Sequence, residues 1–185
     1  MQSEGRELLR QLREDHRNMA ILLKLLDGVV KKASAGEDPD FELLGEIMRY
    51  MTVYPDAVHH PKEDILYTEL RNEREDLADG LDDVTVDHAA IAELGTQLRD
   101  DIDEIIAGSP VRRDKLIADT SAYVNRLRNH MIWEEEDLFE RIEEMLDTQS
   151  LEFDVSEFDQ IKDPIFELEV ESGFKRLMSS LPTAS

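Results

Sequence analysis

Cysteine is absent from the 185-residue sequence. That absence removes disulfides, thiolate nucleophiles, zinc fingers and cysteine-ligated iron–sulfur clusters together. Glycine and proline are scarce, at eight and six residues, and aromatic residues make up 6%. Long helices with short connections fit those counts better than many short strands. Positive charge is also short: 21 Lys and Arg face 44 Asp and Glu, a formal charge of −23. Wrapping nucleic acid or lying on anionic lipid requires a basic face, so neither a nucleic acid nor a membrane is expected as partner. No apolar run approaches the roughly 20 residues of a membrane span. Met1 to Arg13 is polar and charged, without the apolar stretch of a secretory signal. The expectation is a soluble cytoplasmic protein. A glycine-rich phosphate loop and a nucleophile elbow are missing too, which argues against nucleotide hydrolysis and acyl transfer.

What is present is apolar periodicity. Hydrophobic residues are 41% of the chain, enough to bury a core despite the charge. Four segments carry a helical period. The first runs from about Glu7 to Lys32, with a stripe of Leu8, Leu12, Met19, Leu22, Leu23, Leu26 and Val30. The second runs from about Asp40 to Arg74, with Asp38 expected as N-cap before Pro39. The third spans about Asp82 to Ala107, and Ser109 is expected to cap the fourth, which runs from about Val111 to Leu146. Beyond Asp147 the period is lost; residues 150–165 mix acidic and aromatic side chains (Phe153, Phe158), and a short amphipathic piece follows around Glu167 to Leu181. The reading is all-α: an up-down-up-down antiparallel four-helix bundle over residues 1–149, with a short C-terminal extension, 150–185, packing on it.

The chain reads as one helical hairpin written twice. Asp15-His16 in the first segment is matched by Asp87-His88 in the third, and His59-His60-Pro61-Lys62-Glu63 in the second by His130 to Glu134 in the fourth. His16 and His59 are 43 residues apart, His88 and His130 42. The repeat therefore offers histidine from each helix at a similar height in the bundle. His59 and His130 are each followed four positions later by glutamate, Glu63 and Glu134. On a helix, residues i and i+4 share a face about 6 Å apart, so imidazole and carboxylate can converge on one ion. Two such pairs supply two carboxylates, enough to bridge a pair of metals. Imidazole and carboxylate without thiolate suit iron or manganese and leave zinc open. Ferritin-like di-iron sites use Glu-x-x-His instead, in the reverse order and one residue shorter.

His16, His59-His60-Pro-Lys-Glu63-Asp, Asp87-His88 and His130-x-x-Trp-Glu134-Glu-Glu-Asp-Leu-Phe resemble the hemerythrin-like (HHE cation-binding) family, over roughly residues 6–146. The resemblance implies a four-helix bundle holding two non-haem irons, oxo- or hydroxo-bridged. Family members bind or sense dioxygen, respond to nitric oxide or oxidative stress, store or sense iron, or help repair iron centres. By motif, His16, His59, Glu63, His88, His130 and Glu134 would be metal ligands, with Glu63 and Glu134 bridging, and His60 stands as a seventh candidate. Oxygen-carrying hemerythrins have a second histidine four residues along the third helix, where this chain has Ala92. One metal is then a histidine short unless His60 or a tyrosine substitutes.

The expected ligand is dioxygen or another small diatomic; a protein partner is not legible. Peroxide or nitric oxide turnover at the same irons, iron-centre repair, or a structural module stapled by metal are the alternatives. Pro61 inside a helix frees the carbonyl of Ala57 and predicts a kink beside the ligands. Tyr123, seven residues before His130, reads as core or as a partner of the metal site, with Tyr54 and Tyr67 behind it. Asp15 and Asp87, about 100° from the neighbouring histidines, read as exposed or as supports behind the ligands, and the run from Glu135 to Asp137 reads as exposed.

Overall fold

The computed structural model describes residues 4–148, 153, 163–166 and 174–181, and among these there is no strand. Seven α-helices follow in order: α1 (Glu4–Ser34), α2 (Phe41–Met51), α3 (His60–Glu73), α4 (Leu81–Ile106), α5 (Arg113–Trp133), α6 (Phe139–Thr148) and α7 (Lys175–Ser180). A 3₁₀ turn, Glu75–Leu77, lies between α3 and α4. The first and third sequence segments become α1 and α4 almost unchanged. The second and fourth are each interrupted by a π-helical turn, Pro55–His59 and Glu134–Leu138. Pro55 and Pro61 account for the first interruption. Neither has an N–H to continue the ladder, and the chain closes the wider turn with His60 N–H donating to the Pro55 carbonyl. The second contains no proline; there Phe139 N–H donates to Glu134.

Two helix starts differ from the sequence reading. Asp40, not Asp38, caps α2, its side chain accepting from Leu43 N–H at 3.0 Å; Asp38 pairs instead with Arg113 at 2.8 Å. Ser109 does not cap α5, which begins at Arg113 without a side-chain cap. Gly36 and Gly108 lie just past α1 and α4 with φ of 84° and 103°, the left-handed region in which a Cβ is strained.

The interior consists of two apolar clusters. One gathers Met19, Leu22, Leu26, Leu44, Ile47, Ile91, Leu98, Ile102, Tyr123, Val124 and Leu127. The other gathers Leu8, Leu12, Leu66, Leu70, Leu81, Val84, Leu138, Phe139 and Ile142. Each buried Leu, Ile or Phe contributes about 1.5–3 kcal/mol of transfer free energy, so these clusters dominate the stability. Every long segment crosses from one cluster to the other, and it does so at or beside its histidine. His16 falls between Leu12 and Met19, His59 between Val58 and Leu66 and His88 between Val84 and Ile91, while His130 stands one residue before the crossing from Met131 to Leu138. The crossing direction alternates along the chain. α1 packs on α5, α2 on α4 and α4 on α5, so the four crossings enclose one polar layer.

Parts of the C-terminal region touch this body. Phe174 and Leu177 are buried with the first cluster and Phe153 with the second. Leu177 N–H donates to Glu46 and Arg176 pairs with Asp40, both at 2.8 Å. Asp163 is buried and accepts from the Tyr50 hydroxyl and from the N–H groups of Ile165 and Phe166, all at 2.8 Å. Phe158 and residues 167–173 lie outside the described residues.

Candidate metal centre

The polar layer holds the residues singled out by motif. Glu63 and Glu134 are fully buried, at 0% exposure, and His16, His59 and His130 are buried with them. His59 Nε2 lies 3.0 Å from Glu63 Oε1 and 3.1 Å from His16 Nε2. His16 Nε2 is 3.4 Å from Glu134 Oε2, and His130 Nε2 is 3.2 Å from the same oxygen. On the other side, His88 Nε2 is 3.5 Å from Glu63 Oε2 and 3.7 Å from Glu134 Oε1. His60 joins from the start of α3, its ring stacked on His88 with centroids 3.9 Å apart and planes at 18°. Three overlapping sets could hold a metal ion: His16, His59, Glu63 and Glu134; His60, Glu63 and His88; and His88, His130 and Glu134. All seven sequence candidates thus meet in one place.

The donors fit a cation. Both oxygens of Glu63, Oε2 of Glu134, and Nε2 of His88 and His130 are buried without a hydrogen-bond partner. A buried carboxylate left so costs several kcal/mol unless a positive charge compensates it. Without metal, protons fill that role. Burial opposes a charge on His59, yet the Glu63 carboxylate and the hydrogen bond to Asp15 outweigh it and push its pKa up to about 10. His16 and His88 shift upward for the same kind of reason: burial opposes their charge, and Glu134 beside both outweighs it. Burial would raise Glu134, but the imidazoles of His16, His88 and His130 close around it hold it well below the usual carboxylate range. His130, for which burial dominates, shifts downward.

An outer layer fixes the imidazoles with their Nε2 atoms inward. Asp15 lies 3.2 Å from His59 Nδ1, Glu135 3.1 Å from His16 Nδ1, Asp87 2.9 Å from His130 Nδ1 and Asp56 3.1 Å from His60 Nδ1. A carboxylate hydrogen-bonded to Nδ1, as at His59 and His16, selects the tautomer that leaves Nε2 free for metal, while His130 Nδ1 is close to Asp87 without a hydrogen bond. Sequence reasoning placed Glu135 on the surface and left Asp15 and Asp87 between the surface and a supporting place behind the histidines. Asp15 is in fact buried and Asp87 half-buried, each reaching the histidine of the next helix in its own hairpin. The signal was in the sequence: both aspartates occur at the same place in the repeat. Glu135 turns inward because the π turn widens the helix, which lets Glu134 and Glu135 both approach His16.

The tyrosines also sort differently. Tyr67 donates to Glu134 Oε1 at 2.8 Å and Tyr54 to Asp15 at 3.2 Å, while Tyr123 is a core residue whose hydroxyl lies 3.5 Å from the Met51 carbonyl. Ala92 lines a small cavity with His60, Asp56, Tyr123 and Leu127.

Fold and site together define an all-helical protein with a buried histidine–carboxylate cluster able to hold metal. The sequence matches the family model of the hemerythrin HHE cation binding domain over residues 7–142. The chain belongs to that family. No curated protein and no solved structure matches it. Among the described residues no helix is long and apolar enough to cross a membrane.

Proposed function

We propose that the chain is a non-haem di-iron protein of the hemerythrin-like type, an up-down-up-down antiparallel four-helix bundle. It binds or senses dioxygen or another small diatomic ligand, or serves iron and oxidative-stress handling. The carrying observation is the position of the two carboxylates. Glu63 presents one oxygen to His59 and the other to His88, and Glu134 faces His16 and His130 with one oxygen and His88 with the other. Each carboxylate thus spans both histidine groups, as a bridge between two ions must. His16 and His59 would hold one iron, and His88 and His130 the other. His60, stacked on His88 beside the space at Ala92, would supply the second iron's additional nitrogen. The alternating passage of the four segments between the two apolar clusters supports the antiparallel bundle.

Imidazole and carboxylate donors favour iron or manganese over softer-ligated metals. Bound ferrous ions would supply the electrons that a diatomic ligand takes up. The chain's own part is to exclude water with the clusters above and below, to hold His59 by Asp15 and His16 by Glu135, and to steady Glu134 with the Tyr67 hydroxyl. The deciding experiment is metal analysis of anaerobically purified protein with optical spectra before and after air. About two irons per chain and near-ultraviolet charge-transfer bands that grow on oxidation are expected; bands that reverse on deoxygenation distinguish binding from turnover. One tightly held zinc with no optical change overturns the reading.

A further inference from the structure

The four carboxylates behind the imidazoles differ in what stands outside them. Glu135, behind His16, is paired with Arg13 at 3.2 Å. Asp87, behind His130, is paired with Arg126. Asp15, behind His59, is buried under the Tyr54 hydroxyl. Asp56, behind His60, has a side chain 54% exposed, and among the described residues no Lys or Arg pairs with it.

A hydrated cation cannot enter a low-dielectric interior bare; each water it sheds must be replaced by a protein oxygen or nitrogen. Arg13 and Arg126 repel a cation at two faces, and Tyr54 closes a third. The fourth offers a graded series of donors with no Lys or Arg paired to its outermost carboxylate among the described residues. It starts with the solvent-facing Asp56 carboxylate and passes to His60, at 15% side-chain exposure, and His88, at 13%. It ends at Glu63 Oε2, 3.5 Å from His88 Nε2. Asp56, in the π turn, and His60, just past it, are four residues apart and meet at 3.1 Å.

We propose that Asp56 and His60 form an outer acceptor site for a divalent metal ion, through which it passes to the buried cluster. The inference rests on the metal-binding reading above.

The test uses the metal-free full chain mixed with cobalt(II), whose visible bands change on entering imidazole–carboxylate coordination. Asp56→Asn keeps the side chain's shape and removes its charge. It should slow uptake from saturating cobalt about tenfold, as expected of a local electrostatic funnel. Asp83→Asn removes an equal charge from the exposed groove beside Asp87, Arg126 and His130. It should leave the rate unchanged, separating a local route from the general field of a chain of charge −23. An unchanged rate in Asp56→Asn, or equal slowing in both variants, overturns the entry site while metal binding stands. A wild-type chain that takes up no cobalt overturns both.

Discussion

Asp15 shows how much of the centre rests on residues that would never touch a metal. It is buried, accepts from the Tyr54 hydroxyl and holds His59 Nδ1. Replacing it by asparagine keeps the volume and an acceptor oxygen but removes the negative charge that raises the basicity of the ring. Asp15→Asn should therefore weaken metal binding about 10- to 100-fold, read as the dissociation constant from competition with a chelator. An unchanged affinity would show that packing alone orients His59. The same residue joins the centre to the C-terminal region. Tyr54 stacks on Tyr50 with ring centroids 5.1 Å apart, and Tyr50 donates to Asp163.

At the scale of elements, the two π turns explain why seven donors from four segments reach one layer. A straight α-helix through Pro61 would leave the ladder broken, and the turn at Pro55–His59 takes up the mismatch where His59 and His60 must face different neighbours. The helix starts carry a simpler expectation. Asp40 accepts from Leu43 N–H and caps α2, so Asp40→Ala should cost about 1 kcal/mol in denaturant unfolding. Asp38→Ala loses only its largely exposed pair with Arg113, and its effect should be smaller. The reverse order would place the cap where the sequence pattern first suggested it.

For the whole molecule, the central cluster links stability to pH and metal. His59 titrates near 6.5 in an unfolded chain and near 10 in the folded metal-free protein. A raised folded value means that its contribution is fully present below about pH 6.5 and lost as pH climbs through about 10. His130, shifted down, acts only below that window. Metal-free protein should therefore unfold at progressively lower urea as pH rises from 6.5 to 10. A bound cation replaces the proton and flattens that dependence, and metal affinity rises over the same range. His59→Asn should reduce the slope of the metal-free profile, leaving the part carried by His16 and His88; an unchanged slope would assign it to other groups.

By itself the sequence determined the helical class and the positions of the histidines and glutamates, because helical period and ligand spacing are local properties. Four stripes of apolar residues interrupted once each, with His-x-x-x-Glu in two of them, left little freedom about which residues meet. Only the tertiary structure decided what surrounds them. Whether Asp15 and Asp87 face solvent or the neighbouring helix depends on helix rotation, which a one-residue difference in phase changes by about 100°. The inward turn of Glu135 and the choice of Tyr67 over Tyr123 as partner of Glu134 depend on the π turn and on helices distant in sequence. Contacts of that kind arise from packing between segments, and no spacing within one segment encodes them.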